Sequence, residues 1–156
     1  MNKKRLKQHS PQQQAHYERE ARLAYGPGVV NESIARWGSY SQARQDEIIA
    51  EGEAVYSELA EAMAQGHEAG HSEVTALLDR WQAHLRHFYE PSLDMLRGLG
   101  QLYNSHPEFI ANFQQLHVDL PAWLERVIAE YVDELETAEL ERMLAEDEQR
   151  AQRLSQ

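Results

Sequence analysis

The sequence predicts an all-α fold, and three observations lead to this class. Apolar residues recur three or four positions apart along most of the chain, as they do on one face of a helix. The alternation of apolar and polar residues that marks a strand is absent. Helix start and stop signals also divide the 156 residues into segments of ordinary helix length. This chain length fits one domain with one sizeable core.

Two short helices are predicted near the N-terminus. Ser10 followed by Pro11 marks a helix start, because a hydroxyl caps the first turn and proline lacks an N–H that would be unpaired there. This helix is predicted to reach Tyr25, and it carries so little apolar surface that alone it would be marginally stable. A Gly-Pro-Gly break at 26–28 separates it from a second helix near 31–37.

The third predicted helix runs from 42 to about 64, with Ser41 as its N-cap and Gly66 as a left-handed C-cap. After it, His67 and His71 lie four residues apart, a spacing that holds a metal ion when both stand on one helix. Here they flank a glycine in a predicted loop, and no third ligand is evident. Because a zinc site needs three or four ligands, we expect no metal and no other cofactor.

Ring side chains are concentrated in the fourth predicted helix. Ser72 is its predicted cap and the Glu90-Pro91 pair ends it, before a fifth helix at 92–103. An apolar stripe on the fourth helix is predicted to face the core. The stripe consists of Val74, Leu77, Leu78, Trp81, Leu85 and Phe88. His84 and His87 lie on a neighbouring stripe of the same helix.

The last two predicted helices have clear start signals. Ser105 and Glu108 form a capping box, in which each side chain accepts the backbone N–H of the other residue. Asp119 is predicted to cap a long final helix that has Pro121 in its first turn. Beyond Leu135 the chain is acidic and keeps a thin apolar stripe. This pattern predicts a solvated helical extension, which also suits pairing with a second copy.

Composition argues against several classes of protein. The net charge of −11 disfavours direct binding to a phosphate backbone, which needs a basic surface. The chain has no cysteine, so disulfides, thiolate metal sites and thiol nucleophiles are excluded. No apolar run is long enough to cross a bilayer, and glutamines rather than an apolar segment follow the basic start. We therefore expect a cytoplasmic protein with no membrane partner.

Six segments in a fixed order carry a family resemblance. They are Tyr17-Glu18-Arg19-Glu20-Ala21, Ser33-Ile34-Ala35-Arg36-Trp37, Leu85-Arg86-His87-Phe88-Tyr89, Met95-Leu96-Arg97-Gly98-Leu99, Pro107-Glu108-Phe109-Ile110-Ala111-Asn112-Phe113 and Leu120-Pro121-Ala122-Trp123-Leu124. Each segment is weak evidence alone, but the ordered set is fairly specific. It resembles the TipAS family, the antibiotic-binding domain of thiostrepton-induced activators of the MerR type, to which albicidin-binding proteins are related.

The resemblance implies a globin-like all-α fold with a cleft for thiopeptides or other large planar antibiotics, such as albicidin-like compounds. It also implies mobile N-terminal helices that close over the ligand. On this basis we expect a basic and polar tail at 1–16, a TipAS-like domain at 17–135 and an acidic helical extension at 136–156.

Two departures from the family pattern limit what carries over. Some relatives have a cysteine just after the Phe-Tyr pair that captures thiopeptides covalently, whereas Glu90 follows Tyr89 here. We therefore expect non-covalent binding and regard thiostrepton itself as a doubtful ligand. The residues before Tyr17 are too few for the winged helix-turn-helix and coiled coil of full-length activators. We expect either a free-standing drug binder or the ligand half of a regulator.

The first functional hypothesis is a binding module in which aromatic faces stack on a flat ligand. The candidate ligand-contacting residues are Trp37 and Tyr40 from a lid, and Trp81, His84, Phe88, Tyr89, Met95, Tyr103, Phe109, Phe113 and His117 from the body. The competing interpretation is that the tryptophan and phenylalanines of the body form an ordinary core, because they lie on inward stripes. His84, Tyr89 and His117 are the better contact candidates.

Two other functional classes are weighed against binding. An enzyme is disfavoured, because no nucleophile elbow, HExxH motif or phosphate loop accompanies the many carboxylates. A regulatory or scaffold module that works through a protein partner is the other alternative. The acidic extension is its main support, since a homodimer would form through that C-terminal helix.

Overall fold

The computed structural model describes residues 27–155, which form six helices and no strand. The helices are α1 (Pro27–Ser39), α2 (Gln42–Ala64), α3 (Ser72–Leu85), α4 (Leu93–Tyr103), α5 (Pro107–Gln114) and α6 (Leu120–Leu154). The predicted all-α class is confirmed. The helix predicted to end at Tyr25 and the tail predicted at 1–16 lie outside the described residues.

The core lies between the N-terminal half of α6 and the helices that pack on it. The most extensive contact joins α4 to α6, and the next joins α2 to α3. Leu124, Val127 and Val132 on the inner face of α6 are completely buried. Gly100 on α4 lies so close to α6 that an added Cβ would stand 2.9 Å from Cγ2 of Ile128. Close helix packing therefore accounts for this glycine inside a helix.

The last helix, α6, extends far beyond the core. It has 35 residues, which corresponds to a length of about 52 Å at 1.5 Å per residue. From 136 to 155 every residue is exposed, so the predicted helical extension is a helix that stands in solvent. Its exposed apolar side chains are Leu140, Met143, Leu144 and Leu154. Neither α6 nor any other helix among the described residues is long and apolar enough to span a membrane.

Two predicted caps, Ser41 and Gly66, are confirmed, and Ser92 caps a helix whose start was predicted one residue early. Ser41 Oγ accepts the N–H of Arg44 at 3.1 Å at the start of α2. Gly66, just after α2, has a φ of 85°, the left-handed conformation expected of a C-cap glycine. Ser92 Oγ accepts the N–H of Met95 at 3.2 Å, so Ser92 caps α4 and does not belong to it.

The first described helix is longer than the helix predicted at 31–37. Pro27 begins α1, at a position where the missing N–H of proline would be unpaired in any residue. Gly28 and Gly38, which were predicted to break the chain, both lie within α1. The break begins only after Ser39.

The predicted cap of α3 by Ser72 is wrong. Ser72 is the first residue of the helix, and His71 occupies the N-cap position. The Nδ1 atom of His71 accepts the N–H of Glu73 at 3.2 Å. This nitrogen stands as many bonds from the backbone as the side-chain oxygen of asparagine, so an imidazole replaces the usual capping amide or hydroxyl.

The end of α3 also lies earlier than the proline predicted to break it. The N–H groups of His87 and Phe88 donate to the carbonyls of His84 and Leu85, three residues back, at 3.1 and 2.9 Å. These tighter bonds end the α-helix at Leu85. Phe88 was predicted on the inward stripe of the helix and instead lies on the turn that follows it.

The predicted side-chain caps of α5 and α6 are wrong as well. The N–H groups of Ser105 and His106 donate to the carbonyl of Leu102 at 3.2 and 3.0 Å, so both residues close the end of α4. No side-chain cap is found among the described residues for α5, which begins at Pro107. Asp119 holds the N-cap position of α6 with ψ near 0°, instead of the extended backbone that directs a side chain onto the first turn.

Replacing Gly100 with alanine should destabilise the protein by about 1–3 kcal/mol, because the added methyl overpacks the contact between α4 and α6. Helix propensity alone would stabilise the same variant by up to about 1 kcal/mol. Gly38→Ala is the matched control, since its added Cβ would meet no atom of the described residues within 4 Å. Urea unfolding followed by circular dichroism measures both variants. A Gly100→Ala protein as stable as Gly38→Ala would contradict the close packing.

Candidate functional site

Ring side chains from four helices meet inside the protein in a group that we call the Tyr56 cluster. Its members are Tyr56 on α2, Trp81 on α3, Tyr103 on α4, and Phe109 and Phe113 on α5. Phe113 is central, with its ring centroid 5.0 Å from that of Tyr56 and 4.9 Å from that of Tyr103. These contacts are edge-on or tilted, as aromatic pairs prefer. Four helices are thus joined around one aromatic centre.

A small polar network runs through the Tyr56 cluster. The indole N–H of Trp81 donates to the hydroxyl of Tyr56 at 3.2 Å and lies 3.4 Å from that of Tyr103. The two hydroxyls are 3.0 Å apart and share one hydrogen bond. Burial raises the pKa of Tyr56, so its hydroxyl stays protonated and remains a donor. The cluster therefore combines apolar faces with a few fixed polar atoms, the combination typical of ligand pockets.

A second group of rings, which we call the Trp37 cluster, joins α1 to the turn after α3. Its members are Trp37, Tyr40, His84, His87 and Phe88. The ring of Trp37 stacks on that of Phe88, with centroids 5.4 Å apart and planes 27° apart. The Tyr40 hydroxyl donates to the His87 carbonyl at 2.6 Å, and the Arg36 guanidinium donates to the Arg86 carbonyl at 2.9 Å. These contacts help to attach α1, together with a hydrogen bond from the Gln45 side chain on α2 to the Trp37 carbonyl at 2.8 Å. Both stacked rings remain partly exposed.

Both clusters include residues of α3. Trp81 of the Tyr56 cluster and His84 of the Trp37 cluster lie three residues apart, on the same side of the helix. The His84 ring in turn meets Phe88 edge-on, with centroids 5.6 Å apart. A line of rings therefore runs from α1 to α5.

His84 lies in a recess provided by a glycine of α2. Only 9% of its surface is exposed, and a Cβ at Gly52 would stand 2.7 Å from Nε2 of its ring. Burial lowers the pKa of His84, an effect that the Glu51 carboxylate opposes and that His87 adds to. The imidazole is therefore neutral at neutral pH.

The predicted contact residues fall into two groups by exposure. Four of them are buried, namely Trp81, His84, Tyr103 and Phe113. The partly exposed ones are Trp37, Tyr40, Phe88, Tyr89, Met95, Phe109 and His117. Among these, Nδ1 of His117 accepts the N–H of Asp119 at 3.0 Å, between α5 and α6. A role in ligand contact stays a prediction for the whole set.

Tyr56 is the ring residue that the sequence analysis missed. It contacts Tyr103 and Phe113 and accepts the hydrogen bond from Trp81. Tyr56 follows Gly52 by four residues and so shares its side of α2. Which side of α2 faces the other helices depends on long-range packing, so the local sequence contains no clear signal for Tyr56.

The two histidines after α2 do have a third potential ligand, so the expectation that none is evident is wrong. The rings of His67 and His71 stack with centroids 3.8 Å apart, and the Glu73 carboxylate lies 3.2 Å from Nε2 of His67. The loop folds back onto the first turn of α3 and thereby brings Glu73 to the pair. Two of these three residues are exposed, and Nδ1 of His71 already serves as the cap of α3.

Comparison with known proteins gives consistent matches at the level of sequence. The family model described as the TipAS antibiotic-recognition domain matches residues 17–131. The HTH-type transcriptional activator mta of Bacillus subtilis (strain 168) is 30% identical over 121 residues, which are 77% of this chain and 46% of that protein. The HTH-type transcriptional regulator SkgA of Caulobacter vibrioides is 31% identical over 111 residues, 68% of this chain and 44% of that protein. The chain therefore spans less than half the length of these curated relatives.

One solved structure also resembles this fold. It is TipAS in complex with nosiheptide, from a thiopeptide antibiotic multidrug resistance system of Streptomyces lividans. The TM-score is 0.68, and the match covers 81% of this chain and 87% of that one at 21% identity. At this level of identity the likeness concerns the fold, and it confirms the predicted globin-like helical domain.

The pKa of His84 predicts how stability changes with pH. Because this pKa is lowered in the folded protein from an ordinary value of 6.5, the unfolded chain binds the proton more readily. The free energy of unfolding should therefore fall as pH drops from about 7.5 to about 5.5. His84→Gln removes this titration, so its decline over the same interval should be smaller. Urea unfolding of both proteins in metal-free buffer at the two pH values measures these declines. Equal declines in the two proteins would contradict a lowered pKa of His84.

Proposed function

The chain belongs to the TipAS antibiotic-recognition domain family, and from this premise we propose that it binds a large, planar, largely apolar antibiotic. Thiopeptides and albicidin-like compounds are the ligand classes that we propose. The TipAS structure with nosiheptide supports the first of these classes, because it holds a thiopeptide on a similar fold.

The line of rings from α1 to α5 is the observation that carries this proposal. Its partly exposed members, above all Trp37 and Phe88, offer flat faces for stacking on an aromatic ligand. In the Tyr56 cluster, the hydroxyls of Tyr56 and Tyr103 supply fixed polar atoms that would orient the ligand. In this arrangement α1 acts as part of a lid, because its attachment depends on few contacts.

The proposed binding is non-covalent. The chain has no cysteine, so it lacks a thiolate that would add to the dehydroamino acids of a thiopeptide. Affinity would then depend on stacking, on burial of apolar surface and on hydrogen bonds to the fixed hydroxyls. We also propose that the chain binds the antibiotic without converting it, because the matched family is described as an antibiotic-recognition domain.

The biological role that we propose is sensing or sequestration of the drug in the cytoplasm. Sensing is supported by mta and SkgA, whose names describe transcriptional regulators. Direct contact with nucleic acid is not part of the proposal, because the described helices belong to an acidic chain with a net charge of −11.

A second candidate function is a regulatory module that dimerises or binds a protein partner through the α6 extension. The four exposed apolar side chains beyond 136 favour it, since they lie on a helix that nothing in the described part of the chain covers. Leu140, Leu144 and Leu154 also fit the alternating steps of three and four residues that a coiled coil uses.

Titration with nosiheptide, other thiopeptides and albicidin-like oligoaryl amides should quench the tryptophan fluorescence of the chain with a micromolar or tighter Kd. Phe88→Ala should weaken binding by about tenfold or more, because loss of a stacked ring at a binding centre costs at least about 1.4 kcal/mol. The mass of the denatured protein should stay unchanged after incubation with a thiopeptide.

Met143→Ala is the control for this titration, because Met143 is an exposed apolar residue on the extension and far along α6 from the rings. Its affinity should equal that of the unaltered chain. Absence of micromolar binding across the whole panel would contradict the function. Unchanged affinity in Phe88→Ala would contradict only the placement of the ligand.

The dimer hypothesis predicts a difference between the full chain and a chain that ends at Glu136. If the extension pairs, light scattering should give twice the monomer mass for the full chain and one monomer mass for the shortened one. The core should be unaffected, because the residues removed are exposed. Equal oligomeric states in the two proteins would exclude pairing through this helix.

A further inference from the structure

Three metal-binding side chains converge where α2 packs beside the end of α3. They are Glu51, His84 and His87, and one donor atom from each lies within 4.8 Å of the other two. The closest pair is a carboxylate oxygen of Glu51 and Nε2 of His87, at 3.3 Å. Two neutral imidazoles and one carboxylate are a ligand set that zinc uses, with water in the fourth position.

The backbone arranges this convergence. The helix α3 ends in a tight turn, in which the N–H of His87 donates to the His84 carbonyl at 3.1 Å. The two rings consequently meet edge-on, with centroids 5.9 Å apart and planes 76° apart. Glu51 precedes Gly52, the residue whose missing side chain makes room for the His84 ring. The glycine on α2 and the backbone turn at the end of α3 therefore both help to position the three donors.

His84, a member of this group, has a ring nitrogen without a hydrogen-bond partner. Nδ1 of His84 is buried and bonds to no group within the described residues, although buried polar atoms are rarely left unpaired. A neutral imidazole with an unused nitrogen is the form in which histidine binds a metal ion. An ion can reach this group from solvent, because the side chains of Glu51 and His87 are 40% and 22% exposed.

We propose that Glu51, His84 and His87 bind one Zn²⁺ or a similar divalent transition-metal ion, which joins α2 to the end of α3. Donors at 2.0–2.2 Å from a tetrahedral ion lie about 3.3–3.6 Å apart. Glu51 and His87 already have this spacing, and rotation of their partly exposed side chains would bring both donors to His84. The ion would lie next to the attachment of α1, because the His87 carbonyl accepts the hydrogen bond from Tyr40. The site shares His84 and His87 with the Trp37 cluster, but the metal proposal does not depend on drug binding.

The group of His67, His71 and Glu73 provides a matched comparison within the same chain. It also offers two histidines and one glutamate. Its imidazoles are stacked with planes 16° apart, so their lone pairs run side by side and do not converge on one ion. Nδ1 of His71 is also engaged as a helix cap. We therefore assign the ion to the first group and use the second as the control.

The test is a titration of the full chain, without an affinity tag and after treatment with EDTA, with Zn²⁺ by calorimetry and with Co²⁺ by visible absorption. We expect one ion per chain and a rise in Tm on addition of Zn²⁺. Glu51→Gln and His87→Ala should each weaken binding by at least about tenfold, since even residues that only orient a ligand contribute about 10- to 100-fold. Glu73→Gln should bind as the unaltered chain does.

Glu51→Gln keeps the shape of a partly exposed side chain, so it should fold, and its Tm in EDTA checks this. A chain without a stoichiometric ion, or a Glu51→Gln variant that binds as tightly as the unaltered chain, overturns the proposal. Loss of binding in Glu73→Gln would place the ion in the loop before α3 and overturn it equally.

Discussion

Burial of one face of α6 over its first four turns is the constraint on which the other helices depend. The helices α2, α3, α4 and α5 all contact this face, and its fully buried side chains contribute about 1.5–3 kcal/mol each. Two rings on α6 also carry polar atoms that set its rotation. The indole of Trp123 donates to the His67 carbonyl at 3.1 Å, and the hydroxyl of Tyr131 donates to Asp79 at 2.6 Å. Because these contacts fix both the burial and the rotation of α6, the other helices have one way to pack against it.

The aromatic residues divide between stabilising the fold and presenting a surface. Trp81, Tyr103 and Phe113 are almost completely buried, and their contacts hold α3, α4 and α5 together. Trp37 and Phe88 keep exposed faces and attach only α1. The core interpretation of the ring-rich stretch is therefore correct for the buried rings, and ligand contact remains a proposal for the partly exposed rings. The exposure of each side chain distinguishes the two groups of rings, whereas their spacing along the sequence does not.

Helix positions were largely predictable, because a helix that buries one face has apolar residues three or four positions apart in the sequence. The stripe on α3 and the start of α6 at a proline show this. Caps were less predictable, since His71 and Ser72 are neighbours and only the backbone angles decide which of them caps α3. Tyr56 was missed because the side of α2 that meets other helices depends on long-range packing. The recess at Gly52 depends on the same packing and has no local signature.

The ion pairs of Arg97 have a mechanical consequence. Arg97 stands on α4 and contacts Asp133 at 2.8 Å and Glu136 at 3.1 Å, where α6 leaves the core. From there the exposed part of α6 is a lever roughly 28 Å long, so a tilt of about 5° at its base displaces the tip by roughly 2.5 Å. Since Tyr103 belongs to the same α4, a shift of α4 that tilted α6 would be amplified into a larger displacement at the end of α6.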